Sequence, residues 1–256
     1  MNKRTTIAKT IAYDAGQVLL RGFRKTLTIQ HKGAVDLVTN MDLKSEKMIH
    51  TAIRKHFPDD SILAEESGSE ETGSRYRWIV DPLDGTTNYA HGYPVWCVSI
   101  AIELDREIVG GVIYNPNLDE MFYAQRGRGA FRNQRRIHVS MQSKLADSLL
   151  ATGFPYDIGT SKVDNLKHFG RLYKLSRGVR RGGSAAMDIA YTAAGIFDGF
   201  WELKLSPWDT AAGKIIAEEA GAKITDFAGN AYDIFEKEIV CANRKLLKQI
   251  LRILQL

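Results

Sequence analysis

Apolar positions at helical spacing open the chain. Ile7, Ile11, Val18 and Leu19 fall on one side of residues 4–22 and polar residues on the other, so an amphipathic helix is expected there. A second helix is expected from Thr39 to Phe57, with Asp42, Glu46 and Lys47 on its polar side and Met48, Ile49, Ile53 and Phe57 inward. Pro58-Asp59-Asp60 stops it. The period then shortens. Ser61–Ala64 reads as a short strand ending at Glu65-Glu66, residues 67–75 as a polar loop, and Arg77–Val80 as an apolar strand. From Val95 to Phe131, β-branched and aromatic runs alternate with turn signals at Asp105-Arg106, Asn115-Pro116 and Gly127-Arg128-Gly129, the pattern of an antiparallel meander.

After Ser140 helices and strands intermingle. Leu149–Gly153 and Gly199–Leu203 read as strands, and residues 162–176 and 185–197 as helices. A helix follows from Pro207 to Ala220, with proline in its first turn and Gly221 as its C-cap. Ala222–Asp226 and Glu238–Ala242 read as strands, and Leu246–Leu254 as a last helix, amphipathic and expected to dock on the core rather than on a membrane. A strand-rich stretch 1–145 and an α/β stretch 146–256, with no linker or repeat between them, predict two subdomains sharing one interface.

Composition narrows the class. At 256 residues and 44% apolar the chain can bury a large core. Its +5 charge, with 35 Lys+Arg against 30 Asp+Glu, is mildly basic and speaks to solubility more than to a partner. Two distant cysteines, Cys97 and Cys241, offer neither a disulfide framework nor a zinc pattern. No apolar signal region and no membrane-length apolar window occurs, so a soluble cytoplasmic protein is expected.

The chemistry concentrates in residues 78–88, WIVDPLDGTTN. An apolar run ends at Asp81, Pro82 is expected to turn the chain, and Asp84 follows directly ahead of Gly85 and Thr86. Two carboxylates so close repel each other unless a cation lies between them, and a glycine beside them lets backbone N–H groups approach an anion. Glu65, Glu66, Asp42 and Asp209 are further candidates, although helix-start Asp residues are ordinary caps and a Glu pair is ordinary surface. The available ligands are all oxygen, which favours Mg²⁺ or Mn²⁺ over Zn²⁺. A metal-dependent phosphatase is the reading.

Those segments resemble the three signatures of the inositol monophosphatase family: LAEES, WIVDPLDGTTN and PWDTAAGKIIAEEAG. GGSAAMDIAYTAAGIFDGFWE resembles its substrate-binding stretch, especially in the bacterial branch, and the likeness runs essentially end to end. The resemblance implies an α+β (α/β) five-layered αβαβα sandwich, usually a homodimer. It implies that Glu65, Asp81 and the Leu83 carbonyl hold one Mg²⁺, that Asp81, Asp84 and Asp209 hold a second, and that Glu65 and Glu66 serve a weaker third largely through water. Asp42 with Thr86 would polarise the attacking water, with Glu66 counted among the catalytic groups. Asp84, Gly85 and Thr86 would meet the phosphate side, and Gly183, Ser184, Ala185, Glu202 and Asp209 the alcohol. Lys32 matches the basic residue of a mobile loop. Inositol 1-phosphate is the expected substrate, with fructose 1,6-bisphosphate or a 3′-phosphoadenosine nucleotide as alternatives and lithium as an inhibitor.

Other features carry less. Arg126, Arg128, Arg132, Arg135 and Arg136 put five arginines into 11 residues, a possible nucleic-acid patch but more simply the solvated sides of a β-hairpin. Arg177, Arg180 and Arg181 fit either a substrate entrance or a subunit contact. Gly182-Gly183-Ser184 lacks the final glycine of a serine-hydrolase elbow, and no P-loop is present.

Overall fold

The computed structural model describes residues 2–31 and 37–256. Helix α1 (Lys3–Gly22) starts where the Asn2 side chain accepts from the Thr5 N–H at 2.8 Å. A two-stranded ribbon, β1 (Ile29–His31) with β2 (Leu37–Thr39), leads into α2 (Asn40–His56). Thr39 caps α2 and Asp42 reaches back to the Thr39 N–H, a reciprocal capping box. Asp42 and Glu46 are buried, which corrects their assignment to a solvated face, whereas Met48 is only half-buried. Asp42 bonds Thr86 of the motif, and Glu46 bonds the Glu66 N–H just past β3.

Eight strands form the first sheet: β3 (Ser61–Ala64), β4 (Gly68–Glu70), β5 (Tyr76–Asp84), β6 (Cys97–Leu104), β7 (Glu107–Asn115), β8 (Glu120–Gln125), β9 (Ala130–Arg132) and β10 (Arg135–Ile137). Their order is β10-β9-β8-β7-β6-β5-β3-β4, antiparallel except for the parallel pair β3–β5. The expected polar loop 67–75 thus contains a short edge strand. The one-turn helix α3 (Thr86–Ala90) follows β5 directly.

The second sheet has five strands: β11 (Leu149–Thr152), β12 (Gly178–Arg180), β13 (Gly199–Leu203), β14 (Lys223–Thr225) and β15 (Glu238–Ala242), in the order β12-β11-β13-β15-β14. Helices α5 (Ala185–Ala193) and α6 (Pro207–Glu219) lie between the sheets, and α4 (Leu166–Leu175) and α7 (Arg244–Leu254) lie beyond the second. With α1 and α2 outside the first sheet, five layers result, αβαβα. Helix α5 ends at Ala193, short of the expected 197, and Gly221 sits one position past the Ala220 cap with φ +97°.

Burial follows the layers. One apolar cluster joins the sheets through Ile113, Phe122, Ile189, Phe200, Ile215 and Ile216. A second packs α1 and α2 on the first sheet around Trp78, Ile49 and Ile53. A third seats α7 through Leu246, Leu247, Ile250 and Leu254, so the last helix is docked on the core. Among the described residues no helix is long and apolar enough to cross a membrane.

Candidate active site

Strand β5 delivers the motif in a form that local sequence does not predict. Its pairing with β6 runs through Pro82 to Asp84, with a register break between Asp81 and Asp84. Proline lacks an N–H for the ladder, and a bulge is where a strand tolerates it. Asp81 Oδ1 accepts from the Leu83 N–H at 3.0 Å, and the Pro82 carbonyl accepts from Ser45 Oγ on α2 at 2.9 Å. The two carboxylates therefore stand on a bulged strand braced from behind, rather than on a free turn. Gly85 follows at φ +92°, where a Cβ would meet the Val95 and Gly183 carbonyls at 3.0 and 3.2 Å. Only glycine fits this close approach.

Three elements converge on one spot. Asp81, Asp84 and Asp209 each offer a carboxylate oxygen, and these lie within 4.8 Å of one another. Asp209 comes from the first turn of α6, where its Oδ2 accepts from the Ser206 N–H at 2.6 Å. Asp84 Oδ2 accepts from Ser184 Oγ and the Ala186 N–H, both at 2.7 Å, at the start of α5. Burial, and then repulsion from Glu65, Asp84 and Asp209, pushes Asp81 well above the usual carboxylate range. Burial lifts Asp84 to about 6 against its hydrogen bonds from Ser184, and lifts Asp209, helped by the Asp84 charge. Three close all-oxygen donors, two buried and Asp209 half-buried, whose charges disfavour one another fit a divalent cation of the Mg²⁺ or Mn²⁺ type.

The cluster lies in the wall of a cavity of about 360 Å³. Glu65, Leu83, Gly85 and Thr86 line it beside the aspartates, and Gly183, Ser184, Ala185 and Glu202 face them from the second sheet and α5. Asp42 and Glu66 are not in this wall. Asp42 is fully buried behind Thr86, whose Oγ donates to Asp42 Oδ1 at 2.9 Å and lies 3.0 Å from the Leu83 carbonyl. Burial raises Asp42, opposed by hydrogen bonds from Thr39 and Thr86. The Glu66 N–H donates to Glu46 Oε2 at 2.9 Å, so the buried Glu46 fixes the backbone beside Glu65. Lys32 lies outside the described residues.

Sequence reasoning missed Asp188 and Asn88. Asp188 lines the cavity and is held far above the ordinary range by burial and the nearby Asp84 charge. Its signal was a single acid in the otherwise apolar run AAMDIAYTA. Glu202, buried, is raised by burial and by Asp188. Arg181, exposed, lines the cavity as well.

The profile of the inositol monophosphatase family matches residues 1–255. The chain belongs to the inositol monophosphatase family. It is 41% identical to the inositol-1-monophosphatase of Rhizobium meliloti, covering 95% of this chain and 92% of that one. It is 39% identical to the Nus factor SuhB of Pseudomonas aeruginosa, covering 100% and 97%. The crystal structure of the extragenic suppressor protein suhB from Bartonella henselae superposes with a TM-score of 0.94 at 42% identity, covering 99% of each chain. The five-layered architecture is thus that of the inositol monophosphatase family.

The arginine-rich hairpin is partly spoken for. Arg126 pairs with Glu107 at 2.9 Å and Arg132 with Glu120 at 3.4 Å, while Glu219 accepts from the Gly127 and Gly129 N–H groups. Arg128, Arg135 and Arg136 remain exposed.

Proposed function

We propose that this family member hydrolyses the phosphate monoester of a polyol, with an inositol monophosphate as substrate and Mg²⁺ as cofactor. The observation that carries the reading is the Asp81–Asp84–Asp209 cluster, two of its members buried, lining the same cavity as Glu202. Glu65, Asp81 and the Leu83 carbonyl would hold one ion, and Asp81, Asp84 and Asp209 a second. A weaker third would be served by Glu65 and Glu66, and Mn²⁺ would substitute. Bound divalent ions supply charge neutralisation of the ester and acidify the attacking water.

The protein's own groups do the rest. Thr86 Oγ takes the proton of the attacking water and passes its own to Asp42, whose burial makes it the better base. The Gly85 and Thr86 N–H groups orient the phosphate. Glu202 and Asp209 accept from hydroxyls of the alcohol, with Gly183, Ser184 and Ala185 shaping its seat. Steady-state rates on inositol 1-phosphate, fructose 1,6-bisphosphate and 3′-phosphoadenosine 5′-phosphate test this. Activity should vanish in chelator, return with Mg²⁺ and fall with lithium. Full activity in chelator overturns the reading, and a tenfold preference for another ester overturns the substrate.

A homodimer is part of this proposal, supported by the exposed Val163, Leu166 and Tyr173 along and beside α4. Sedimentation of wild type and Leu166→Glu tests it. The two buried free thiols suit a reducing cytoplasm. A second, binding role is suggested by the relative named a Nus factor together with exposed Arg128, Arg135 and Arg136. RNA binding that survives Asp84→Asn and collapses with salt would support it.

A further inference from the structure

Asn88 closes the DPLDGTTN motif yet is absent from the cavity wall. It is buried, and its Nδ2 donates to two carbonyls, Val95 at 2.6 Å and Gly182 at 2.9 Å. The second bond spans 94 residues and ties α3, the one-turn helix after β5, to the turn that starts α5. The contact is tight on both sides. A Cβ on Gly183 (φ +86°) would strike Asn88 Nδ2 and Oδ1 at 2.8 Å, and one on Gly182 would strike Asp188 Oδ1 at 2.5 Å. The Gly182 N–H bears on the Asp188 carboxylate from that side. The two peptide groups that flank the Gly182 Cα are therefore held, the following one by Asn88 and the preceding one by Asp188.

The residues just after those peptides hold a member of the acidic cluster. Ser184 Oγ and the Ala186 N–H hold Asp84 Oδ2, so the position of the 182–184 turn sets the orientation of Asp84 within the cluster. Groups behind a metal ligand set metal affinity as strongly as some ligands do.

We propose that Asn88 is a positioning residue that fixes the α5 turn against α3 and so presents Asp84 to the metal, with Asp188 as the acceptor on the other face of the same turn. The proposal rests on the metal-site reading above. It requires a donor at 88 and an acceptor at 188.

The experiment is calorimetric titration of Mg²⁺ and Mn²⁺ into chelator-treated protein, alongside the Mg²⁺ concentration for half-maximal hydrolysis. Asn88→Asp keeps the shape but turns the donor into an acceptor facing two carbonyls, and should weaken metal binding by about tenfold or more. Asp188→Ala should do the same, whereas Asp188→Asn, which still accepts, should bind within about threefold of wild type. Should Asn88→Asp fail to fold, Gly183→Ala presses on the same contact from the opposite side and should reproduce the weakened binding. Unchanged metal affinity in Asn88→Asp or in a folded Gly183→Ala overturns the proposal, as does a loss in Asp188→Asn equal to that in Asp188→Ala. A wild type that binds neither metal overturns the site reading itself.

Discussion

Ser184 Oγ donates to Asp84 Oδ2 at 2.7 Å across 100 residues of sequence, joining the first residue before α5 to the second aspartate of β5. The same Oδ2 accepts from the Ala186 N–H at 2.7 Å. One carboxylate thus holds the start of a helix with one oxygen and belongs to the acidic cluster as well. Fold and site share this group, so their contributions separate only by choice of substitution.

Asp84→Asn keeps an oxygen that accepts from Ser184 and Ala186 and removes a charge that raises Asp81 and Asp209. It should cut turnover by several orders of magnitude while the metal-free protein melts no lower than metal-free wild type. Asp84→Ala leaves both donors unpaired and should be less stable than Asp84→Asn by about 1–3 kcal/mol. Mg²⁺ should raise the melting temperature of wild type more than that of either variant. Near-normal turnover of Asp84→Asn at modest Mg²⁺ would remove Asp84 from the site.

Thr86→Val tests the proton path. Valine fills the same volume but cannot bridge Asp42 Oδ1 and the reacting centre. Turnover should fall about 10²–10⁴-fold, the usual contribution of a general acid–base group, with Mg²⁺ affinity by calorimetry little changed. A drop in metal affinity matching the drop in turnover would assign Thr86 to holding the site together.

Asp60 offers the contrasting case, a carboxylate that serves the fold alone. It accepts from Arg4 at 2.8 and 2.9 Å and from Trp78 Nε1 at 2.9 Å, and Arg4 itself lies over the Phe57 and Tyr76 rings. Asp60→Ala strands the buried indole N–H and should cost about 3 kcal/mol. At this chain length that lowers the melting temperature by roughly 10 °C. The kcat of the folded fraction and its Mg²⁺ dependence should be unchanged when measured well below the transition.

Segments with one strong local signal are legible in the order of amino acids alone. Ser61–Ala64, Gly199–Leu203 and Glu238–Ala242 are strands as expected, because each is a short apolar run between turn residues. Where a distant partner decides, local reading fails. Pro82 reads as a strand-ender, yet Ser45 and Asp81 brace a bulge around it. Helix α4 begins at Leu166 rather than 162, because Asn165 is held at φ 71° by bonds with Thr152, Gly153 and Trp201. Glu46 looks solvated in a helical projection and is buried because the Glu66 N–H needs an acceptor. The acidic motifs are visible one by one. That Asn88 and Asp188 stand behind them depends on contacts with a turn that no local pattern encodes.

The pH dependence of the metal-free protein derives from the same crowding. Asp84 is raised to about 6, and Asp81, Asp209, Asp188 and Glu202 are raised further by burial and by one another. A carboxyl whose folded pKa exceeds its unfolded value is better protonated in the native state. Its contribution is full below the unfolded value near 4 and is lost as pH rises through the folded value. The folded chelated protein should therefore lose stability as pH rises from about 4 through the Asp84 value near 6, opposite in sign to ordinary acid unfolding. Asp60, lowered by Arg4 and Trp78, titrates below this window and does not offset it. Mg²⁺ should flatten or reverse the slope, because a cation favours the ionised cluster. Asp84→Asn should show a shallower slope without metal, having one raised carboxyl fewer. Melting temperatures in chelator at several pH values decide it: a stability that climbs from about pH 4 to about pH 6 without metal would mean that the cluster is not the strained, charge-crowded site its geometry describes.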